Sequence, residues 1–267
     1  MQTELNNGVK IPLLGYGSYD MKQPEILNAL KAGYRHIDTA NGYHNEAEVA
    51  AAIKASGISR KSVFITTKVT NGAQREGRVL EEFETSLKNL ATDYVDLYLI
   101  HWPVKESYVN TWRVLETIYE TGRAKAIGVS NFQMHHLDEL KKTWRIVPAL
   151  NQIELHPKLT QSPLITYCQQ VGIKVEAWSP LGAGKAAIHE QPQLVKLAKK
   201  YGVTPAQIVL RWQIQQDIVT IPRSKDPQRM ATNFAIWDFE LIPEEMAQIS
   251  ALNEDMRTGP DPDHFTF

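Results

Sequence analysis

A single (β/α)8 TIM barrel, with an N-terminal β-hairpin cap and an added C-terminal helix, is the fold this chain predicts. Three observations carry that prediction. Short apolar runs of strand character alternate almost without interruption with stretches of helical period. The connections between them span only a few residues, as parallel βα units require. The length, 267 residues, is close to the ~250 that such a barrel needs. With no linker, repeat or low-complexity tract to divide it, one domain is expected over residues 1–267.

The elements follow in order. Glu4-Leu5, the turn Asn6-Asn7-Gly8 and Val9-Lys10-Ile11 read as a hairpin placed to cap the bottom of the barrel. Strand Leu13–Gly15 leads to helix Pro24–Ala32, and strand Tyr34–Ile37 to helix Glu46–Ala55. Strand Val63–Thr67 precedes helix Gly77–Leu90, and strand Val95–Ile100 precedes helix Val109–Thr121, with Gly122 as its stop. Strand Ala126–Val129 is paired with helix Met134–Lys142, and strand Ala149–Ile153 with helix Pro163–Val171. Strand Lys174–Ala177 has two helical patterns after it, Gln193–Tyr201 and Pro205–Gln215. The last strand, Ile218–Ile221, precedes helix Pro227–Phe234, and Pro243–Leu252 is the added helix. A doubly wound sheet competes, but no GxGxxG follows the first strand; Gly15-Tyr16-Gly17-Ser18-Tyr19 is only a fragment of one.

Composition excludes several classes. A net charge of -1, without a basic run, argues against nucleic acid or an anionic membrane as partner. No apolar run reaches the ~20 residues that span a bilayer, and MQTELNNGVK lacks the plan of a signal peptide. The lone Cys168 allows no internal disulfide and lies in an apolar-periodic stretch, so a packing role and a reducing cytoplasm are expected. No metal is expected: His135 and His136 are helix neighbours whose side chains should diverge by roughly 100°.

The chemistry gathers at four polar residues just past successive strands: Asp38 in HIDTA, Tyr43 in NGYHNE, Lys68 in ITTKV and His101 in YLIHWP. In a parallel barrel the carboxyl ends of all strands open on one face, so these groups should converge. A phenol holds its proton at neutral pH, and a nearby ammonium makes it a better acid. Lys68 is the candidate ammonium and Asp38 the carboxylate that fixes it. Neutral His101 would orient a carbonyl oxygen that Tyr43 protonates as hydride reaches carbon. Taken singly, each residue is as easily a loop, packing or core residue.

The segments DTANGYHNE, ITTKV, LYLIHWP, IGVSNF, NQIELHP, WSPLG and IPRS resemble, in order and spacing, those of the aldo-keto reductase superfamily, closest to short prokaryotic members similar to 2,5-diketo-D-gluconate reductases. The resemblance runs from the hairpin to Phe239. It implies a catalytic tetrad of Asp38, Tyr43, Lys68 and His101, and NADP(H) lying across the barrel mouth. Ser130, Asn131 and Gln152 would then hold the nicotinamide carboxamide, and Trp178 would stack on the ring. Ser179, Leu181 and Gly182 would pass over the pyrophosphate, and Arg223, Ser224, Arg229 and Asn233 would hold the adenosine end. Two guanidiniums suit a dianionic 2'-phosphate. Asp226 and Thr232 depart from the family pattern, and an inward Asp226 would repel that phosphate; preference for NADPH over NADH is nonetheless expected.

Tyr19 and Trp102, with Tyr16 as a further candidate, match substrate-facing positions. The short Val104–Tyr108 stretch implies a shallow, open site for small aldehydes, α-dicarbonyls or keto-sugars. A cytoplasmic monomer acting on a small carbonyl substrate is expected. For Phe265 and Phe267 in the tail, both closure over the mouth and disorder stay open. Two other classes also stay open: a cofactor-bound sensor on the same barrel, and a hydrolase using Asp38 and Glu154 as its paired acids.

Overall fold

The computed structural model describes residues 1–267. A hairpin of β1 (Gln2–Glu4) and β2 (Lys10–Pro12) comes first, antiparallel and turned at Gly8, whose φ of 83° favours glycine. Asn6 donates to the carbonyls of Pro148 and Gly172, residues that precede two later strands, so the hairpin closes the amino end of the barrel.

Eight parallel strands follow. They are β3 (Tyr16–Gly17), β4 (His36–Asp38), β5 (Phe64–Val69), β6 (Leu97–Ile100), β7 (Ile127–Ser130), β8 (Leu150–Glu154), β9 (Lys174–Trp178) and β10 (Val219–Thr220). Each pairs with its neighbour in sequence order. The sheet closes where Leu14 bridges Thr220 and the Gly15 amide donates to the Thr220 carbonyl at 2.9 Å. Gly15 is required here because a Cβ would come within 2.5 Å of the His36 ring.

The helices are α1 (Gln23–Ala32), α2 (Glu46–Ser56), α3 (Asn71–Glu76), α4 (Val79–Asn89), α5 (Tyr108–Glu120), α6 (Met134–Lys141), α7 (Ser162–Gln170), α8 (Pro192–Tyr201), α9 (Pro205–Gln215), α10 (Pro227–Phe234) and α11 (Pro243–Ser250). Several turn apolar side chains inward: Phe83 from α4, Trp112 from α5, Leu137 from α6 and Trp212 from α9 are all buried. Burial of one such side chain contributes roughly 1.5–3 kcal/mol. No helix is long and apolar enough to cross a membrane.

Three boundaries differ from the sequence reading in ways that matter. The helix expected over Gly77–Leu90 starts later, as α4 at Val79, because Gly77 takes φ 67° and ends a short helix, α3, that the sequence reading did not include. Strand β5 runs on to Val69, and β4 includes Asp38. Asp38 and Lys68 are therefore held within strands, more rigidly than loop residues would be.

Candidate active site

Asp38, Tyr43, Lys68 and His101 meet at the carboxyl end of the barrel. Lys68 is fully buried and reaches across from β5: its Nζ lies 2.7 Å from Asp38 Oδ1, 2.9 Å from the Thr39 carbonyl and 3.5 Å from Tyr43 Oη. Tyr43 ends a 3-10 turn (Asn41–Tyr43). Asn45 holds that turn in place, accepting from the Thr39 hydroxyl and donating to the carbonyls of Ser18 and Met21. His101 follows β6 directly, its ring edge-on to Tyr43 with centroids 5.5 Å apart.

Electrostatics set the proton positions. Burial pushes the Tyr43 phenol up, and the Lys68 charge opposes this without reversing it. The net acidification expected from sequence is thus outweighed by desolvation, and the phenol keeps its proton at neutral pH. Burial works against the Lys68 charge too, yet attraction to Asp38 and Tyr43 leaves it above the usual lysine range. His101 is driven well below the usual imidazole range by burial and by Lys68, so it is neutral.

The residues assigned to the carboxamide sit at neighbouring strand ends, already bonded to the protein. Ser130 donates to the Gln152 carbonyl, and Asn131, at φ 66°, donates to the His101 carbonyl. Trp178 is half-buried, and its Nε1 donates to Asn131 Oδ1 at 2.8 Å. Gln152 has partners that sequence did not reveal: its Nε2 donates to Asp38 Oδ2 at 2.7 Å and to Glu176 Oε1. Since β4 and β8 are not neighbours in the sheet, this bond crosses the barrel interior.

Beyond Trp178 the chain turns at Ser179 (φ 46°), passes half-buried Leu181 and bends again at Gly182 (φ 66°). Gly182 packs on Ala186, where a Cβ would collide at 2.2 Å. A cavity of about 300 Å³ lies between Asp20, Met21, Arg223, Ser224, Lys225 and Arg229. Arg223, Lys225 and Arg229 bring three cations to it, of which Lys225, missed from sequence, is paired with Asp20 at 2.8 Å, so the two arginines are the better match to a phosphate dianion. Asp226 caps α10, accepting from the Gln228 and Arg229 amides. Its carboxylate is thereby committed to the helix end. Asn233 is buried on the same helix.

Tyr19 is 58% exposed at the mouth, edge-on to Tyr43 at 5.1 Å, with Arg223 over its ring. Trp102 is buried because Phe265 and Phe267 pack on it at 5.2 and 5.3 Å. The tail therefore walls one side of a mouth that sequence pictured as open. Tyr16 does not face this space: it is buried, donating to the Ser224 carbonyl.

Glu154 holds the tail. It accepts from the Thr258 and Gly259 amides and pairs with buried His156, which leaves no free acid for the hydrolase reading. Gly259 lies against the Trp178 indole, where a Cβ would meet Cη2 at 2.4 Å. Farther on, His135 and His136 converge on Asp263 at 3.1 and 3.5 Å instead of diverging. His136 folds back to accept the Gln133 amide at Nδ1, so its Nε2 carries the proton that faces Asp263. Burial, then His135, pushes His136 down to about 4, which keeps it neutral. The cluster is a hydrogen-bonded latch on the tail.

Comparison with known proteins agrees with this geometry. Residues 15–254 match the Aldo/keto reductase family. A glyoxal reductase of Bacillus subtilis (strain 168) is 48% identical, over 99% of this chain and 97% of its own. The crystal structure of an aldo-keto reductase from a Medee basin deep-sea metagenome library superposes with a TM-score of 0.96 at 41% identity, covering 99% of this chain and 100% of that one. A Bombyx mori aldo-keto reductase in complex with NADP does so at 0.91 and 34% identity, covering 98% and 96%. With an eight-stranded parallel barrel, the acid–lysine–tyrosine line at its mouth and relatives matched end to end, the chain belongs to the aldo/keto reductase family.

Proposed function

We propose that this protein is an NADPH-dependent reductase of small aldehydes, α-dicarbonyls and keto-sugars, with Tyr43 as the proton donor. The observation that supports it most is the buried line Asp38–Lys68–Tyr43, with neutral His101 beside it. Bound NADPH would supply the hydride, held by Ser130, Asn131, Gln152 and Trp178 at one end and by Arg223, Ser224, Arg229 and Asn233 at the other. Ser179, Leu181 and Gly182 would pass over its middle.

Tyr43 donates its proton to the carbonyl oxygen as charge develops there. Lys68, anchored by Asp38, stabilises the resulting phenolate. His101 orients the carbonyl oxygen. Trp102 and Tyr19 flank the reacting carbon, and the aromatic wall with Phe265 and Phe267 suits a small substrate. The glyoxal reductase relative favours α-dicarbonyls among the candidates. The unit is taken as one domain over residues 1–267, acting as a cytoplasmic monomer.

The test is NADPH oxidation with glyoxal as substrate. Tyr43→Phe should lower kcat by about 10²–10⁴ while NADPH still binds. An unchanged rate would reject the assigned acid.

A further inference from the structure

The geometry points to Glu176 as a proton-holding positioning residue beneath the tetrad, one that sets the net charge felt by Lys68 and Tyr43 through the Gln152 side-chain amide. This rests on the reduction chemistry proposed above. Glu176 lies on β9, two residues before Trp178, and is fully buried. Its Oε1 accepts one Gln152 amide proton, the other going to Asp38 Oδ2; its Oε2 has no partner. A buried carboxylate with a bare oxygen is a poor place for full charge, whereas a carboxylic acid is at home there.

Counting charges leads to the same assignment. The ionisable groups facing Glu176 are Asp38 from β4 and Lys68 from β5; Gln152 from β8 is neutral, and Val219 and Thr220 of β10 carry no charge. His36, two residues before Asp38, is neutral because burial, then Lys68, pushes it down to about 3. One ammonium therefore faces two carboxyls. Asp38 takes the direct ion pair, and the proton stays on Glu176, whose carboxyl is pushed up to about 8 by burial and then by the Asp38 charge.

When Glu176 loses that proton, the pocket goes from neutral to a net negative charge. The phenolate that must form on Tyr43 during reduction is then disfavoured. For the wild type, kcat for reduction should fall across pH values near 8 to a plateau about tenfold lower. Glu176→Gln, neutral at every pH, should keep kcat flat through that window. Glu176→Met serves the same purpose if the amide variant does not fold.

Infrared titration of the full chain, with and without NADP, reads the proton itself. A protonated-carboxyl C=O band should be present at neutral pH, vanish near pH 8 and be missing from the variant. Absence of that band at neutral pH overturns the inference, as does an alkaline fall in kcat that is the same in variant and wild type. A band that titrates as described while Tyr43→Phe stays fully active would reject the proposed acid and leave the buried proton standing.

Discussion

Lys68 has no access to solvent, so its charge is tolerable only because Asp38 answers it. Lys68→Met should abolish reduction and, by leaving Asp38 unpaired, destabilise the fold by up to about 3–5 kcal/mol in urea denaturation. Glu176 adds a pH signature to stability. Between the ordinary carboxyl value and about 8, the folded chain holds a proton that the unfolded chain releases, so this group's contribution declines as pH rises through that range. The Tm of Glu176→Gln relative to wild type should therefore climb from about pH 5 to pH 8; a constant difference would contradict this. Asp38, Lys68 and His101 were readable because each ends an apolar run, and Tyr43 because it follows shortly after the first of those runs. Glu176 was not, although an acid in the middle of Val175–Ala177 carries the same signal: two-residue alternation aims it into the barrel along with Trp178.

Among the elements, α10 does two jobs at one end. Its N-cap Asp226 satisfies the first amides, and Arg229 in its first turn faces the phosphate-sized cavity. Arg229→Ala should raise the Kd for NADPH by about tenfold to a hundredfold, the loss of one charge-assisted contact, and leave that for NADH nearly unchanged. Equal losses for both nucleotides in fluorescence titration would argue against 2'-phosphate recognition. Strand and helix identities were set by period, and eight alternations survived in the structure. Ends were harder to read, since they depend on what lies nearby: β5 extends through Lys68 because β6 continues beside it, pairing Lys68 with Leu99. Gly77 was read as a helix start but ends α3, since sequence alone does not distinguish a left-handed cap glycine from a helix-start glycine.

Across the whole molecule, the barrel gives the site its rigidity and the tail gives it a wall. That wall is fastened at Glu154, at Asp263, and at Arg75 and Asn71, which donate to the Phe267 carbonyl. Replacing both Phe265 and Phe267 by Ala should raise KM for glyoxal about threefold to tenfold and leave NADPH affinity intact. The tail's path was hidden from sequence because its anchors are scattered over residues 71–154, and no local pattern announces them. The Gly259–Trp178 contact has a consequence for how this stretch can evolve. Its constraint is the indole opposite and not its own backbone, since Gly259 needs no left-handed φ. A saturation scan of the final fifteen positions should find position 259 among the least forgiving, and a smaller ring at 178 should restore its freedom, so that the two sites drift as a pair through descent.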